Sequence, residues 1–147
     1  MRILVMGSGQ MGRGAVYDLV RNDKVEQVIV ADINEKFAKD LAKEMGPKAI
    51  AEKVDAKDKS QLSAVFSKVD SVISCVSYTV NKLHTEVAID TGTHMCDLGG
   101  NLNIVNQQME MHDKAKSAGI TVVPDCGLAP GMVSVLARAG IECLQRA

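Results

Sequence analysis

Aromatic residues are scarce in this sequence, which contains no tryptophan, two tyrosines and two phenylalanines. Proteins that hold single-stranded nucleic acid stack the bases on aromatic side chains, and this chain has few of them. The charges show no bias of sign either, because 17 lysines and arginines stand against 18 aspartates and glutamates. We therefore predict neither nucleic acid nor a membrane surface as a partner.

Paired cysteines and long apolar runs are also missing. The four cysteines lie far apart and form no C-x-x-C motif, which indicates free thiols in a reducing compartment. The neighbours His94, Cys96 and Asp97 have no second cluster of ligands elsewhere in the sequence, so we predict no metal site. The first apolar run, residues 3–6, is too short for a signal peptide or a membrane span. The expected location is cytoplasmic.

Short apolar strands alternate with amphipathic helices along the chain, which is typical of a parallel sheet with helices on both faces. The predicted strands are residues 2–6, 27–31, 49–54, 70–76, 94–98 and 120–123. The predicted helices are residues 10–20, 34–45, 60–67, 80–91, 104–118 and 132–144. A chain of 147 residues buries roughly 70% of its unfolded surface, enough for one core. We predict one α/β domain over residues 1–147, with a Rossmann-type, doubly wound parallel sheet of about six strands.

The first strand leads into a glycine-rich turn with the pattern G-x-G-x-x-G. Its residues are Gly7, Ser8, Gly9, Gln10, Met11 and Gly12. In this pattern the first glycine permits a tight turn, the second lets a pyrophosphate approach the backbone, and the third lets the next helix pack on the sheet. The helix N-terminus adds unpaired N–H groups that attract an anion. The turn therefore predicts a bound dinucleotide.

Acidic residues follow the second and third strands. Asp32 comes 20 residues after Gly12, where the dinucleotide pattern places a carboxylate against the adenosine ribose hydroxyls. Such a carboxylate repels a 2′-phosphate, and no arginine follows it closely, so we predict NAD rather than NADP. After the third strand, Asp55 and Ala56 reach the same sheet edge. Asp55 either contacts the adenine or caps the next helix, and the sequence does not decide between these roles.

The end of the fourth strand borders the point where the sheet reverses direction, and ligands bind at such points. We therefore predict that Cys75, Val76 and Ser77 border the central and nicotinamide parts of the cofactor. Cys75 has no histidine or lysine beside it in sequence, so it is interpreted as a small hydrophobic residue rather than a nucleophile. The helical pattern places Met11 and Phe37 on buried faces and His84 at or near a surface.

Two further aspartates stand beside glycine-rich segments. Asp97 ends the fifth strand and precedes Gly99 and Gly100. It either reaches the substrate or accepts hydrogen bonds from the backbone of that glycine turn. Asp125 follows the sixth strand and opens a loop in which two prolines and two glycines fix the chain path before the last helix.

Three motifs together resemble the saccharopine dehydrogenase superfamily. They are the turn Gly7–Gly12, the segment Asp97-Leu98-Gly99-Gly100 and the loop Cys126-Gly127-Leu128-Ala129-Pro130-Gly131-Met132. The turn occurs in many dehydrogenases, whereas the other two motifs are far more specific. With Pro124-Asp125 before the last loop, the chain is most similar to the NAD-binding domain of lysine 6-dehydrogenases.

This resemblance implies an enzyme that removes the ε-amine of lysine by hydride transfer to NAD, with an amino acid as its small-molecule substrate. Saccharopine and carboxynorspermidine dehydrogenases are the alternatives within the superfamily. Asp97, and after it Asp125, would orient the amine or stabilise an iminium. A larger substrate domain follows in such enzymes, so we expect this chain to be an inactive fragment of a protein that is a homodimer at full length.

A regulatory domain that senses NAD is the alternative from another class of protein. Nucleotide-binding modules of ion-transport complexes also begin with a strand, a glycine turn and a helix. They do not explain the Asp97–Gly100 segment or the proline-glycine loop, so the enzyme is the preferred interpretation.

Overall fold

The computed structural model of the chain describes residues 1–146 and contains one sheet of six parallel strands. The strands are β1 Arg2–Met6, β2 Gln27–Asp32, β3 Ala49–Lys53, β4 Ser71–Ser74, β5 His94–Asp97 and β6 Val122–Val123. Their order in space is β3-β2-β1-β4-β5-β6. The chain winds outward from β1 to β3, returns to place β4 beside β1, and winds outward again. This topology confirms the predicted doubly wound α/β fold.

Seven α-helices connect and follow the strands. They are α1 Gln10–Leu19, α2 Glu35–Met45, α3 Lys59–Phe66, α4 Asn81–Thr91, α5 Leu102–Met109, α6 His112–Ser117 and α7 Val133–Gln145. Asparagine or aspartate side chains begin three of them: Asn34, Asp58 and Asn101 accept hydrogen bonds from the first-turn amides of α2, α3 and α5. These caps explain why the helices start where they do.

Two apolar layers lie on opposite faces of the sheet. One layer packs residues such as Val5 and Val28 against α1 and α2. The other packs Leu4 and Phe66 among the side chains of α3, α4 and α6. Alternate side chains of β1 therefore enter different layers, which is why the strand is a continuous apolar run.

The sequence placed several helical residues wrongly. Met11 is 59% exposed and Phe37 57% exposed, because α1 turns Gly12 and Val16 inward and α2 turns Ala38 and Leu41 inward. His84, expected at or near a surface, is fully buried. In α1 and α2 the face that packs on the sheet is therefore not the simplest apolar stripe, and His84 is buried with both ring nitrogens next to polar partners.

The predicted long helix over residues 104–118 is two helices. Met111 has φ −90° and ψ 7°, outside the helical region, and it separates α5 from α6. Its side chain is buried, whereas Met109 is exposed. The sixth strand is also shorter than predicted, since only Val122 and Val123 pair with β5.

Candidate functional site

The glycine turn between β1 and α1 is open toward solvent. The Gly7 amide donates to the Ala31 carbonyl at 2.7 Å, and Gly7 has φ 99°, which favours glycine. A Cβ on Gly12 would lie 1.8 Å from the Gly7 carbonyl oxygen, so the turn requires glycine there. By contrast, a Cβ on Gly9 would have no atom of the described chain within 4 Å. Gly9 is also the cap of α1 and has no side chain to occupy the N-terminal amides.

A cleft of about 340 Å³ lies beside this turn, at the carboxyl ends of the strands. The predicted residues that line it are Asp32, Asp55, Ala56, Val76 and Ser77. Met6, Ala31, Val54 and Val80 supply an apolar floor. The structure thus brings the ends of β1, β2, β3 and β4 to one concave surface. A flat apolar ring with polar groups at its edge fits such a cleft.

Asp32 is joined to the glycine turn by Ser8. The Asp32 Oδ2 atom accepts from the Ser8 amide at 2.8 Å and from the Ser8 hydroxyl at 2.7 Å, and Oδ1 accepts from the Asn34 amide at 2.9 Å. Partial burial raises the pKa of Asp32, but the bonds from the Ser8 hydroxyl and from the backbone amides outweigh it, so the pKa lies below its usual value. The carboxylate is therefore charged, and it lines the cleft.

Asp55 does not cap the next helix. That helix is capped by Asp58, and Asp55 Oδ1 instead accepts from the Lys57 amide at 2.9 Å within its own loop. The capping alternative for Asp55 is therefore wrong, and contact with the adenine stays a prediction. Lys57 lines the same cleft as Asp32. Lys57 lies in the loop after β3, so the residues directly after Asp32, on which the prediction of NAD was based, do not reveal it.

The end of β4 packs against the glycine turn through its backbone. A Cβ on Gly7 would lie 2.9 Å from the Cys75 carbonyl oxygen, and the Cys75 amide donates to the Met6 carbonyl oxygen at 2.8 Å. Burial, and to a smaller degree Cys96, raises the pKa of the Cys75 thiol to about 11. A protonated thiol is a poor nucleophile, which supports the interpretation of Cys75 as a small hydrophobic residue.

Asp97 is fully buried and is hydrogen-bonded to two loops. Its Oδ1 atom accepts from the Gly99 amide at 2.7 Å and from the Asp125 amide at 3.2 Å. Its Oδ2 atom accepts from Gln108 Nε2 at 2.7 Å. Of the two roles considered for Asp97, the structure shows the bond to the glycine turn. A direct role in catalysis stays a prediction.

Asp125 lies next to Asp97, as the topology predicts for adjacent strand ends. It has φ 64°, and its Oδ1 atom accepts from the Gly100 amide at 3.3 Å. A Cβ on Gly99 would lie 1.6 Å from that same oxygen, so the contact requires glycine at position 99. The two aspartates together hold the Gly99-Gly100 turn against the loop after β6.

Residues 1–146 contain neither a cluster of metal ligands nor a helix that could span a membrane. Within this range, no three histidine, cysteine, aspartate or glutamate side chains are grouped so that they could hold a metal ion. None of the helices described there has the length and apolar character needed to cross a membrane.

The chain resembles proteins of one enzyme family over nearly all its length. Residues 3–123 match the family model described as the saccharopine dehydrogenase NADP binding domain. The chain belongs to the saccharopine dehydrogenase family. The match includes the glycine turn, Asp32 and Asp97.

Individual members of the saccharopine dehydrogenase family extend the match to the whole chain. The chain is 34% identical over 145 residues to the Saccharomyces cerevisiae saccharopine dehydrogenase (NADP+, L-glutamate-forming), covering 99% of this chain and 31% of the yeast protein. It is 27% identical over 141 residues to the mitochondrial alpha-aminoadipic semialdehyde synthase of Bos taurus, covering 96% of this chain and 15% of the bovine protein.

A solved structure of the yeast family member has the same fold. The apo form of histidine-tagged saccharopine dehydrogenase (L-Glu forming) superposes with a TM-score of 0.80 and 32% sequence identity. The superposition covers 99% of this chain and 32% of the yeast chain. The chain thus spans about a third of the length of that relative.

Proposed function

We propose that the chain binds NAD across the glycine turn and the neighbouring cleft. It would thereby form the cofactor-binding part of an oxidoreductase that acts on the amine of an amino acid. The main support is that Asp32, which lines the cleft, is hydrogen-bonded to Ser8 of the glycine turn, next to the exposed Gly9 at the α1 N-terminus. A site for a pyrophosphate thus lies beside a site for a nucleoside.

The residues present fit a dinucleotide in three places. The first-turn amides of α1 would bind the pyrophosphate, and the open space in front of Gly9 would admit it. Asp32 would accept a hydrogen bond from the ribose. The apolar floor of the cleft would exclude water from one face of the adenine. A bound nicotinamide supplies the hydride acceptor, and this chain supplies its binding and orientation.

Two charges in the cleft bear on the choice between NAD and NADP. The charged carboxylate of Asp32 repels a 2′-phosphate, whereas Lys57 would attract one. The printed names of the family model and of the yeast relative both include NADP. We propose NAD for this chain because Asp32 stands directly at the turn, bonded to Ser8, whereas Lys57 is an exposed, flexible side chain.

The amine substrate belongs to the same proposal. The relatives are named for saccharopine and for aminoadipic semialdehyde, which supports the saccharopine type over lysine 6-dehydrogenase and carboxynorspermidine dehydrogenase. Oxidation at a carbon that bears an amine requires a neutral nitrogen and a nicotinamide held against that carbon. Asp97 and Asp125 would hold the loops that face this reaction. We propose that the chain alone binds the cofactor but does not turn over an amino acid.

Titration of the purified chain with NADH and with NADPH tests the choice of cofactor. Fluorescence of the bound dihydronicotinamide reports binding of either cofactor. We expect NADH to bind about tenfold more tightly than NADPH, which corresponds to about 1.4 kcal/mol of discrimination by Asp32. Equal or tighter binding of NADPH would contradict the proposed preference. Binding of neither cofactor would contradict the proposed function itself.

A further inference from the structure

Most of the polar side chains that the structure buries within residues 1–146 belong to one hydrogen-bonded network. Six of the seven nearly inaccessible polar side chains in this range take part in it. They are Ser74, Asn81, His84, Thr85, Asp97 and Gln108. We call them the core polar network. The seventh, Thr93, donates instead to the Phe66 carbonyl. Burial of so many polar groups costs free energy unless they are paired, and Gln108 Oε1 is buried without a partner, so their common arrangement requires an explanation.

One end of the core polar network reaches the wall of the Asp32 cleft, which we call the adenosine cleft because we propose that it holds the adenosine part of the cofactor. His84 Nε2 lies 3.0 Å from the Ala56 carbonyl oxygen. A carbonyl only accepts, so Nε2 carries the proton of this bond. On the other side of the ring, Nδ1 lies 3.1 Å from the Ser74 hydroxyl, which also lies 2.9 Å from Asn81 Oδ1. Burial lowers the pKa of His84, which favours a neutral ring.

The other end of the core polar network reaches the loops that follow β5 and β6. The Thr85 hydroxyl donates to the Asn81 carbonyl at 2.9 Å. Gln108 Nε2 donates to that hydroxyl oxygen at 2.9 Å and to Asp97 Oδ2 at 2.7 Å. Asp97 then holds the Gly99 and Asp125 amides. Hydrogen bonds thus run from the adenosine cleft to the Gly99-Gly100 turn without leaving the core.

Apart from the bond from His84, the loop that Ala56 belongs to is bonded within itself and to α3, where Gln61 Oε1 accepts from the Asp55 amide at 3.0 Å. Within the loop, the Lys57 amide donates to Asp55 Oδ1 and the Asp58 amide to the Asp55 carbonyl. The bond from His84 comes from α4 instead, and it fixes the loop relative to the sheet. Because Asp55, Ala56 and Lys57 all line the cleft, the position of this loop sets the width available to a nucleoside.

We propose that His84 is a positioning residue for nucleotide binding, which holds the Asp55–Lys57 wall of the cleft through the Ala56 carbonyl without touching the nucleotide. The inference rests on the proposed function, since it assigns the adenosine part of the cofactor to this cleft. His84 belongs to no sequence motif. It lies behind the Asp55–Lys57 wall, on the side away from the proposed nucleotide.

Two variants of His84 and one control separate positioning from general stability. His84→Phe keeps a flat ring in edge contact with Phe66, at a centroid distance of 5.9 Å in the parent chain, but loses both nitrogen atoms. His84→Gln keeps an amide N–H that can reach the Ala56 carbonyl. Thr93→Val removes a hydroxyl that is equally buried but lies outside the core polar network. Thermal unfolding of each variant is followed beside its affinity for NADH and for ADP-ribose.

We expect a large loss of nucleotide affinity only in the variant that loses the hydrogen bond to the Ala56 carbonyl. In His84→Phe we expect Kd for both NADH and ADP-ribose to rise about tenfold, the usual effect of losing a buried hydrogen bond that shapes a site. In His84→Gln we expect Kd within about threefold of the parent chain, and in Thr93→Val within about twofold, although both are less stable. Unchanged affinity in a folded His84→Phe would overturn the inference. An equal loss of affinity in Thr93→Val would also overturn it. If His84→Phe does not fold, a tenfold loss of affinity in His84→Gln would overturn it.

A measurement without nucleotide keeps this inference separate from the proposed function. We expect amide hydrogen exchange at residues 55–58 to become faster in His84→Phe and to stay unchanged in Thr93→Val. Unchanged exchange at this loop in His84→Phe would contradict positioning by His84. If exchange becomes faster but the parent chain binds neither NADH nor ADP-ribose, the wall is positioned by His84 and the proposed function fails.

Discussion

The two halves of the sheet differ in how completely this chain covers them. Strands β1, β2 and β3 have α1 and α2 on one face and the α3 layer on the other. Strands β4, β5 and β6 are packed by α4 and α6 on one face. On the other face, Ile73 of β4 packs against the layer of α1 and α2 but is partly exposed, as is Cys96, and Val123, which is paired in register with Cys96, is 47% exposed.

The last helix shows the same contrast. Helix α7 buries none of its described residues, and its exposed apolar side chains are Val133, Val135, Leu136, Ile141 and Leu144. Exposed apolar area of this kind is typical of a surface that contacts another part of a protein or another copy. Within residues 1–146, this chain therefore covers both faces of the sheet half that we propose for adenosine, which we call the complete half, and leaves one face of the other half largely exposed. The homodimer expected for the full-length enzyme stays a prediction.

The largest effect that we expect comes from the glycine turn of the complete half. In Gly12→Ala the new Cβ would lie 1.8 Å from the Gly7 carbonyl oxygen. We expect NADH affinity to fall by about 100-fold, and the free energy of unfolding by about 3 kcal/mol. NADH titration and denaturant unfolding measure the two effects.

Gly14→Ala is the matched control in the same helix. A Cβ there meets open space within the described chain, so alanine should stabilise α1 by about 0.5–1 kcal/mol and leave NADH affinity unchanged. If Gly12→Ala binds NADH as well as Gly14→Ala does, the glycine turn is not the pyrophosphate site.

A smaller effect should come from the two opposing charges of the adenosine cleft. Asp32→Asn removes the charge that repels a 2′-phosphate, and we expect the ratio of NADPH to NADH affinity to rise about tenfold. Lys57→Met removes the opposing charge, and we expect a loss of about threefold for NADPH alone, because the lysine is exposed to solvent. Competitive titrations with both cofactors give these ratios.

Asp40→Asn controls for a change of net charge outside the cleft. Asp40 is exposed on α2 and pairs with Lys36 at 2.6 Å, so its removal should not alter the ratio of the two cofactors. If all three variants keep the parent ratio, neither Asp32 nor Lys57 determines the cofactor.

The sequence predicted the complete half of the molecule better than the other half. The glycine turn and Asp32 lie within short segments whose spacing carries their geometry, so their positions in the fold could be deduced. Lys57 could have been found by including the loop after the third strand, since all strand ends of a parallel sheet share one edge.

The core polar network could not be deduced from the sequence. His84 is followed one turn later on α4 by the apolar residues Val87 and Ala88, and its partners come from β4 and from the loop after β3, which meet only after the sheet has formed. The same holds for Asp97, whose partner Gln108 lies on a helix that ends early because Met111 leaves the helical region. Long-range polar contacts depend on register and helix ends, which local patterns fix least well.

Titration with ADP-ribose by calorimetry is the most direct test of the claim that the adenosine half is complete. ADP-ribose carries the adenosine and the pyrophosphate but no nicotinamide, so it uses the α1 N-terminus and the Asp32 cleft alone. We expect ADP-ribose to bind the purified chain with a Kd within about tenfold of that of NADH, and Gly12→Ala to weaken this binding by about 100-fold, as for NADH. NADH binding without measurable ADP-ribose binding would contradict the claim, because the main contacts would then lie outside the adenosine half.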